Sequence, residues 1–159
     1  MRSNGYGEQI RKLDITDAKI ASQVFALQKN SYRVEAEIIG SHEIPPLMES
    51  LQELMTSGET FLGCYERREI VAVLSYKRDS KLVDIHRMMV HPNHFRKGIA
   101  RHLLAHLEEN ETGVHELTVS TGSANIPAIN LYEKLGFKKV GNTVVGEGLS
   151  LTQFFKTIG

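Results

Sequence analysis

One cysteine in 159 residues is too few for an internal disulfide and offers no metal–thiolate cluster, which suits a reducing, cytoplasmic setting. Cys64 lies in the apolar run Phe61, Leu62, Cys64, Tyr65 and reads as a packed core residue. Net charge is missing as well: 19 basic residues cancel 19 acidic ones, so no global field draws the chain to nucleic acid or to an anionic membrane. Any anion site has to be local. No apolar stretch approaches the roughly 18 residues needed to cross a bilayer, and the N-terminus is polar, so neither an anchor nor a signal peptide is expected. Internal repeats, low-complexity tracts and linkers are absent too. Hydrophobic residues make up 41% and charged residues 24%, the composition of an ordinary globular protein. A single domain over residues 1–159 is expected, burying about 70% of its unfolded surface.

Taken in order, Gln9 to Ile15 alternates as a strand, and Thr16 or Asp17 caps a helix running to about Asn30. Ser31 to Pro46 then crowds Tyr32, Arg33, Glu35, Glu37, His42 and Glu43 together with Ile38, Ile39 and the Pro45-Pro46 breaker. This segment reads as a loop or broken helix lining a substrate mouth, because ligand contacts concentrate on such connections; a solvated helix end fits equally well. A short helix over Leu47 to Met55 precedes a hairpin, Thr60 to Tyr65 and Ile70 to Tyr76, and a third strand, Leu82 to Val90. A helix, a strand over His115 to Thr121, a helix over Asn125 to Leu135 closed by Gly136, and strands over Phe137 to Val145 and Leu149 to Ile158 complete the chain. Antiparallel strands first, then alternating strands and helices, predict an α+β fold: a mixed, mostly antiparallel central sheet flanked by about four helices.

The stretch Leu82 to Leu107 is the most informative. It reads as an apolar strand, a polar turn and a helix whose first turn carries small and basic residues, and a helix N-terminus aims unpaired N–H groups and a partial positive charge at one point. Such a point binds anions. Gly98 and Ala100 leave little bulk there, while Arg96, Lys97 and Arg101 add positive charge. Ile99, Leu103, Leu104 and Leu107 form the buried stripe of the helix.

Downstream, Asn125 suits an N-cap and Pro127 a first turn. Asn125 and Tyr132 are seven residues apart and share one helix face, with the small Ala128 between them. That face is a groove wall or, for Tyr132, an ordinary packing position.

Val90-His-Pro92 followed by Arg96-Lys-Gly-Ile-Ala-Arg101, and then Asn125 with Leu-Tyr-Glu-Lys-Leu-Gly-Phe137, resembles the GNAT superfamily of N-acetyltransferases. The resemblance is strongest over residues 82–140. It implies a GNAT-like sheet and acetyl-CoA as cosubstrate. The backbone of Met88, Met89 and Val90 would hold the pantetheine arm, and the amides from Arg96 through Lys97, Gly98, Ile99, Ala100 and Arg101 would cradle the pyrophosphate. Asn125 would face the arm, and Tyr132 would stand near the sulfur. Phe95 occupies the position, three residues before the first glycine, where the family's signature begins with Arg or Gln. Ala100 replaces its second glycine, a common variant.

Amide formation from an amine and a thioester needs a base, because an amine with a pKa near about 10 is mostly protonated at neutral pH. It also needs an oxyanion donor, which an N–H near Met89 would supply, and an acid for the leaving thiolate, assigned to Tyr132. Asp84 and His86 lie two apart on the strand and share a face, so His86 is the first candidate base and Asp84 the second. A bound water, Glu35 or Glu37 would serve instead. The expected acceptor is an amine-bearing small molecule or peptide, with Glu35, Glu37 and Glu43 hinting at a cationic amine, and the C-terminal strands offer a surface for a homodimer.

Three other readings compete. His102 and His106 sit one helical turn apart with His91 and His94 nearby, but the Glu of a zinc-protease motif is lacking, and no metal site is expected. A nucleic-acid binder using Arg96, Lys97 and Arg101 conflicts with the neutral charge and the lack of interleaved aromatics. The last alternative keeps the fold and loses the chemistry, as a catalytically silent CoA-binding sensor.

Overall fold

The computed structural model describes residues 9–40, 48–95, 98–146 and 149–158. In chain order the elements are β1 (Ile10–Leu13), α1 (Ala18–Ile39), α2 (Leu51–Met55), β2 (Thr60–Glu66), β3 (Glu69–Asp79) and β4 (Leu82–Val90). A 3-10 turn (Pro92–His94) leads into α3 (Ile99–Asn110), β5 (Glu116–Gly122), α4 (Ile126–Lys134), β6 (Lys138–Gly146) and β7 (Leu149–Thr157). The strands form one seven-stranded sheet in the order β1-β2-β3-β4-β5-β7-β6. Neighbours are antiparallel except β4 and β5, which run parallel because α3 carries the chain back between them. The mixed, mostly antiparallel α+β architecture is the one expected.

Helices cover both faces. On one, α1 and α2 bury Ala21, Val24, Leu27, Ala36 and Leu54 against Phe61, Val73 and Met89. On the other, Ile99, Leu103, Leu104 and Leu107 of α3 and Tyr132 of α4 pack on Val83, Ile85, Leu117, Val119 and Phe154. Leu103 is fully buried at the centre of that second core. Leu103→Ala is expected to cost about 2–5 kcal/mol, read as a lowered urea midpoint with an unchanged slope. Cys64 is packed in the same core, and its burial, reinforced by the Glu66 carboxylate, pushes the thiol up to about 11.

One expectation changes. Ser31 to Ile39 is neither loop nor broken helix but, as the other reading had it, the end of a helix: it continues α1, which runs 22 residues before Gly40 closes it at φ 76°. Gln28, Tyr32 and Ala36, at four-residue steps, carry the buried stripe onward. An amide, a phenol and a methyl make a weak apolar signal in a sequence, yet all three are buried. His42, Glu43, Pro45 and Pro46 lie outside the described residues.

Candidate active site

The sheet is forked at its centre. Pairing between β4 and β5 runs from Leu82↔Glu116 to Ile85↔Val119 and stops there. Beyond it β4 stays on β3 as far as Val90, while β5 follows β7 as far as Gly122. The gap therefore opens at the C-terminal ends of two parallel strands, and α3 and α4, which follow those strands, both begin at its mouth.

At the α3 side Gly98 is the N-cap, in the left-handed region at φ 74°. A Cβ placed there would meet nothing within 4 Å, so the space over the helix start is open. The first helical bond runs from the His102 N–H to the Gly98 carbonyl at 3.2 Å, which leaves the N–H groups of Ile99, Ala100 and Arg101 without intrahelical partners. Ile99 and Ala100 turn their side chains into the core, and Arg101 is exposed. Phe95 is 43% exposed just before this turn. Arg96 and Lys97 lie outside the described residues.

A bulge in β4 sets which groups look into the gap and which look away. Register on β3 passes from Ser75↔Arg87 to Tyr76↔Ile85, leaving His86 as the extra residue. Before it Val83 and Ile85 face α3; after it Met88 and Val90 do, while Met89 is buried towards α1.

Asp84, His86 and Arg87 consequently gather on the α1 side. His86 Nε2 lies 3.3 Å from Asp84 and Nδ1 lies 3.2 Å from Glu59. The His86 ring thus lies between two carboxylates. Asp84 also accepts from the Thr118 hydroxyl at 2.7 Å. Arg87 is buried and saturated: it donates twice to Glu59, at 2.8 and 3.2 Å, twice to Glu49, and at 2.7 Å to Gln28. Its guanidinium also covers the Phe61 ring, 5.5 Å from the centroid.

A second constellation spans the gap. Asn125 caps α4 by accepting from the Ala128 N–H at 3.3 Å, and its amide donates to Glu35 Oε1 at 3.0 Å. Glu35 belongs to α1 on one face of the sheet and Asn125 to α4 on the other, so the bond joins the two faces where the strands have parted. Burial, eased in part by that bond, raises the Glu35 carboxyl above its ordinary range. Tyr132, 5% exposed and edge-on to Phe137 at 5.5 Å, is held well above a free phenol by burial and by the Glu35 charge. Tyr32 is raised by burial and by Glu35 and Tyr132, against a backbone hydrogen bond at Met88 and the Arg87 charge. Among the described residues no three His, Cys, Asp or Glu side chains gather as a metal site. His91 accepts from the Asn93 N–H at 3.1 Å, capping the 3-10 turn.

A family model described as an acetyltransferase (GNAT) domain matches residues 21–158. The chain belongs to the GNAT acetyltransferase family. Over 145 residues, 91% of this GNAT chain, it is 35% identical to the UPF0157 protein YqkA of Bacillus subtilis (strain 168). The match covers 42% of that protein, so the chain spans less than half the length of this relative. The ribosomal-protein-S18-alanine N-acetyltransferase from Escherichia coli has the same fold at TM-score 0.74 and 20% identity, over 94% of this chain and 92% of that one. PaiA N-acetyltransferase from Thermoplasma acidophilum, solved in complex with coenzyme A, matches at TM-score 0.72 and 18% identity, over 94% and 98%. Against this GNAT frame, the residues singled out from the sequence fall into two groups. Gly98 to Arg101 form the open helix start, Met88 and Val90 lie on β4 beyond its last pairing with β5 while Met89 turns towards α1, Asn125 bonds Glu35, and Tyr132 is buried in the core of α3 and α4. Asp84 and His86 lie beside the fork on the α1 face, where His86 sits between Asp84 and Glu59 and Asp84 accepts from Thr118. Arg87, Glu49, Glu59 and Gln28 carried no signal in the sequence, because residues 28, 49, 59 and 87 meet only through the tertiary packing.

Proposed function

We propose that this chain transfers an acetyl group from acetyl-CoA to a primary amine of a small molecule or peptide by direct attack, acting as one cytoplasmic domain over residues 1–159. The fork carries the reading. An open, glycine-capped helix start suits a pyrophosphate, and the free edge of β4 at Met88, Met89 and Val90 suits an extended amide-bearing arm. Arg96 and Lys97 would add charge to the phosphate end, beside Gly98, Ile99, Ala100 and Arg101. Tyr132 is the proposed acid. Its raised pKa keeps the phenol protonated throughout the neutral range, so it enters the reaction as a hydrogen-bond donor to sulfur. The proposed partners are an acceptor amine and, through the C-terminal strands, a second copy of the chain. Nucleic acid and membrane are not among the proposed partners, because the charges of the chain balance.

Calorimetric titration with acetyl-CoA and with CoA tests the reading. Micromolar binding is the expected result, and no detectable binding of either would sink it. Tyr132→Phe should keep that affinity and lose about a hundredfold or more in kcat against an amine found by screening. Wild-type turnover in the variant would remove Tyr132 from the chemistry.

A further inference from the structure

We propose that Glu35 is the base that takes the acceptor amine's proton and that Asn125 is the residue that positions it, an assignment resting on the acetyl-transfer reading. The argument begins with the fork. In most of the sheet, groups on the two faces are separated by a hydrogen-bonded strand ladder. Here the ladder between β4 and β5 ends at Ile85↔Val119, and Glu35 from α1 reaches Asn125 from α4 at 3.0 Å. The carboxylate therefore stands at the gap between the strands and approaches it from the α1 face, opposite the core that holds Tyr132. Tyr132 lies two turns beyond Asn125 on the same helix, and helical side chains lean towards their helix's N-terminus, which brings the phenol back towards the Asn125 end. Burial first and the Glu35 charge second raise the Tyr132 phenol.

The other acidic groups near the fork are occupied. Glu59 and Glu49 receive Arg87, and Asp84 receives Thr118 and His86. Glu35 has Asn125 on one oxygen, and the side chain is only partly buried. The titratable groups that act with it are Tyr32 on its own helix and Tyr132 from α4, both neutral phenols at neutral pH. Burial raises the carboxyl, making it a stronger proton acceptor than an exposed glutamate.

The step balances as follows. The ammonium gives one proton to the Glu35 carboxylate, and the freed amine nitrogen attacks the thioester carbonyl, forming the C–N bond. The C–S bond breaks, the sulfur leaves with its electron pair, and the second nitrogen proton passes to it through the Tyr132 hydroxyl. An amide, a thiol and a protonated Glu35 result, and Glu35 returns its proton to water.

The test follows thiol release from acetyl-CoA across pH, with a peptide beginning in a free alanine and with water as sole acceptor. Wild-type kcat/KM should fall on the acid side as Glu35 is protonated. Glu35→Gln should lose about a hundredfold or more and lose that acid limb, while Glu35→Asp recovers part of the rate. Asn125→Ser keeps an N-cap oxygen but loses the amide donor that favours the ionised carboxylate, so its limb should move to higher pH. The carboxyl carbon resonance of Glu35 should move with it. Wild-type rate and limb in Glu35→Gln would overturn the proposal, as would loss of the limb in His86→Ala alone. Unchanged CoA affinity in Glu35→Gln separates this failure from failure of the acetyl-transfer reading. Binding of CoA by the wild type without thiol release to either acceptor or to any amine of the screen would overturn both.

Discussion

Arg87→Ala should lower the melting temperature by about 10 °C, the largest stability loss expected from a single polar side chain here. Arg87 is 8% exposed, and its guanidinium is bound to two carboxylates and one amide. Removing it leaves Glu49 with the Gln28 amide and Glu59 with the Ser75 hydroxyl but takes the Arg87 cation from both, and breaking a buried ion pair in this way costs about 3–5 kcal/mol. Loss of the contact with Phe61 adds to it. A variant in which Arg87→Met is combined with Glu49→Gln and Glu59→Gln removes the charges together and should recover most of the loss. If the triple variant were as unstable as Arg87→Ala, packing and not stranded charge would be the cause.

The pH dependence gives a second check with a definite sign. Burial alone would raise Glu59, but the Arg87 and Ser75 hydrogen bonds and the Arg87 charge outweigh it and hold the carboxyl below its ordinary value. A depressed carboxyl contributes stability above its unfolded pKa, about 4.3, and the contribution fades as pH falls through the lower folded value. Wild-type stability from this group is therefore lost on acidification. Without Arg87, burial dominates, the folded value rises, and protonation relieves the stranded charge. The stability gap between wild type and Arg87→Ala should narrow between about pH 7 and pH 4 in urea unfolding. A gap that widened would contradict the charge account.

Gly98→Val should weaken CoA binding about a hundredfold or more, the largest effect expected on the ligand. Two costs combine at this residue. A β-branched side chain in the left-handed region costs about 1–2 kcal/mol, and the added methyls occupy the open space over the N–H groups of Ile99, Ala100 and Arg101. Each charge-assisted bond lost there is worth about 1.5–3 kcal/mol. Calorimetry beside a thermal melt separates the two: the melt registers the strain and the titration registers the blocked site. A variant that bound CoA as wild type does would remove the phosphates from this helix start.

The two strand-to-helix stretches were legible in the sequence because their signals are local. Leu82 to Val90 alternates up to the bulge, α3 repeats apolar residues at helical spacing, Asn125 caps α4, and Gly136 closes it in the left-handed region at φ 96°. Each depends on residues within a few positions of one another. The order of elements and the mixed sheet follow from them.

Other features depend on groups far apart in the chain. A bulge adds one residue and inverts which side chains face which layer, so reading β4 by strict alternation places Asp84 and His86 together but cannot foresee Arg87 beside them. The last turns of α1 were hidden because their buried positions are Tyr32 and Ala36, next to charged Arg33, Glu35 and Glu37. The parting of β4 from β5 leaves no trace in either strand, since each keeps its bonds to its other neighbour. The sequence by itself therefore determined the layer architecture, the open helix start at Gly98 and the family. Tertiary structure alone decided that Glu35 meets Asn125 through the fork and that Arg87 is locked between Glu49 and Glu59. Local patterns encode burial, whereas a hydrogen bond across 90 residues exists only when packing has brought its two ends to one place.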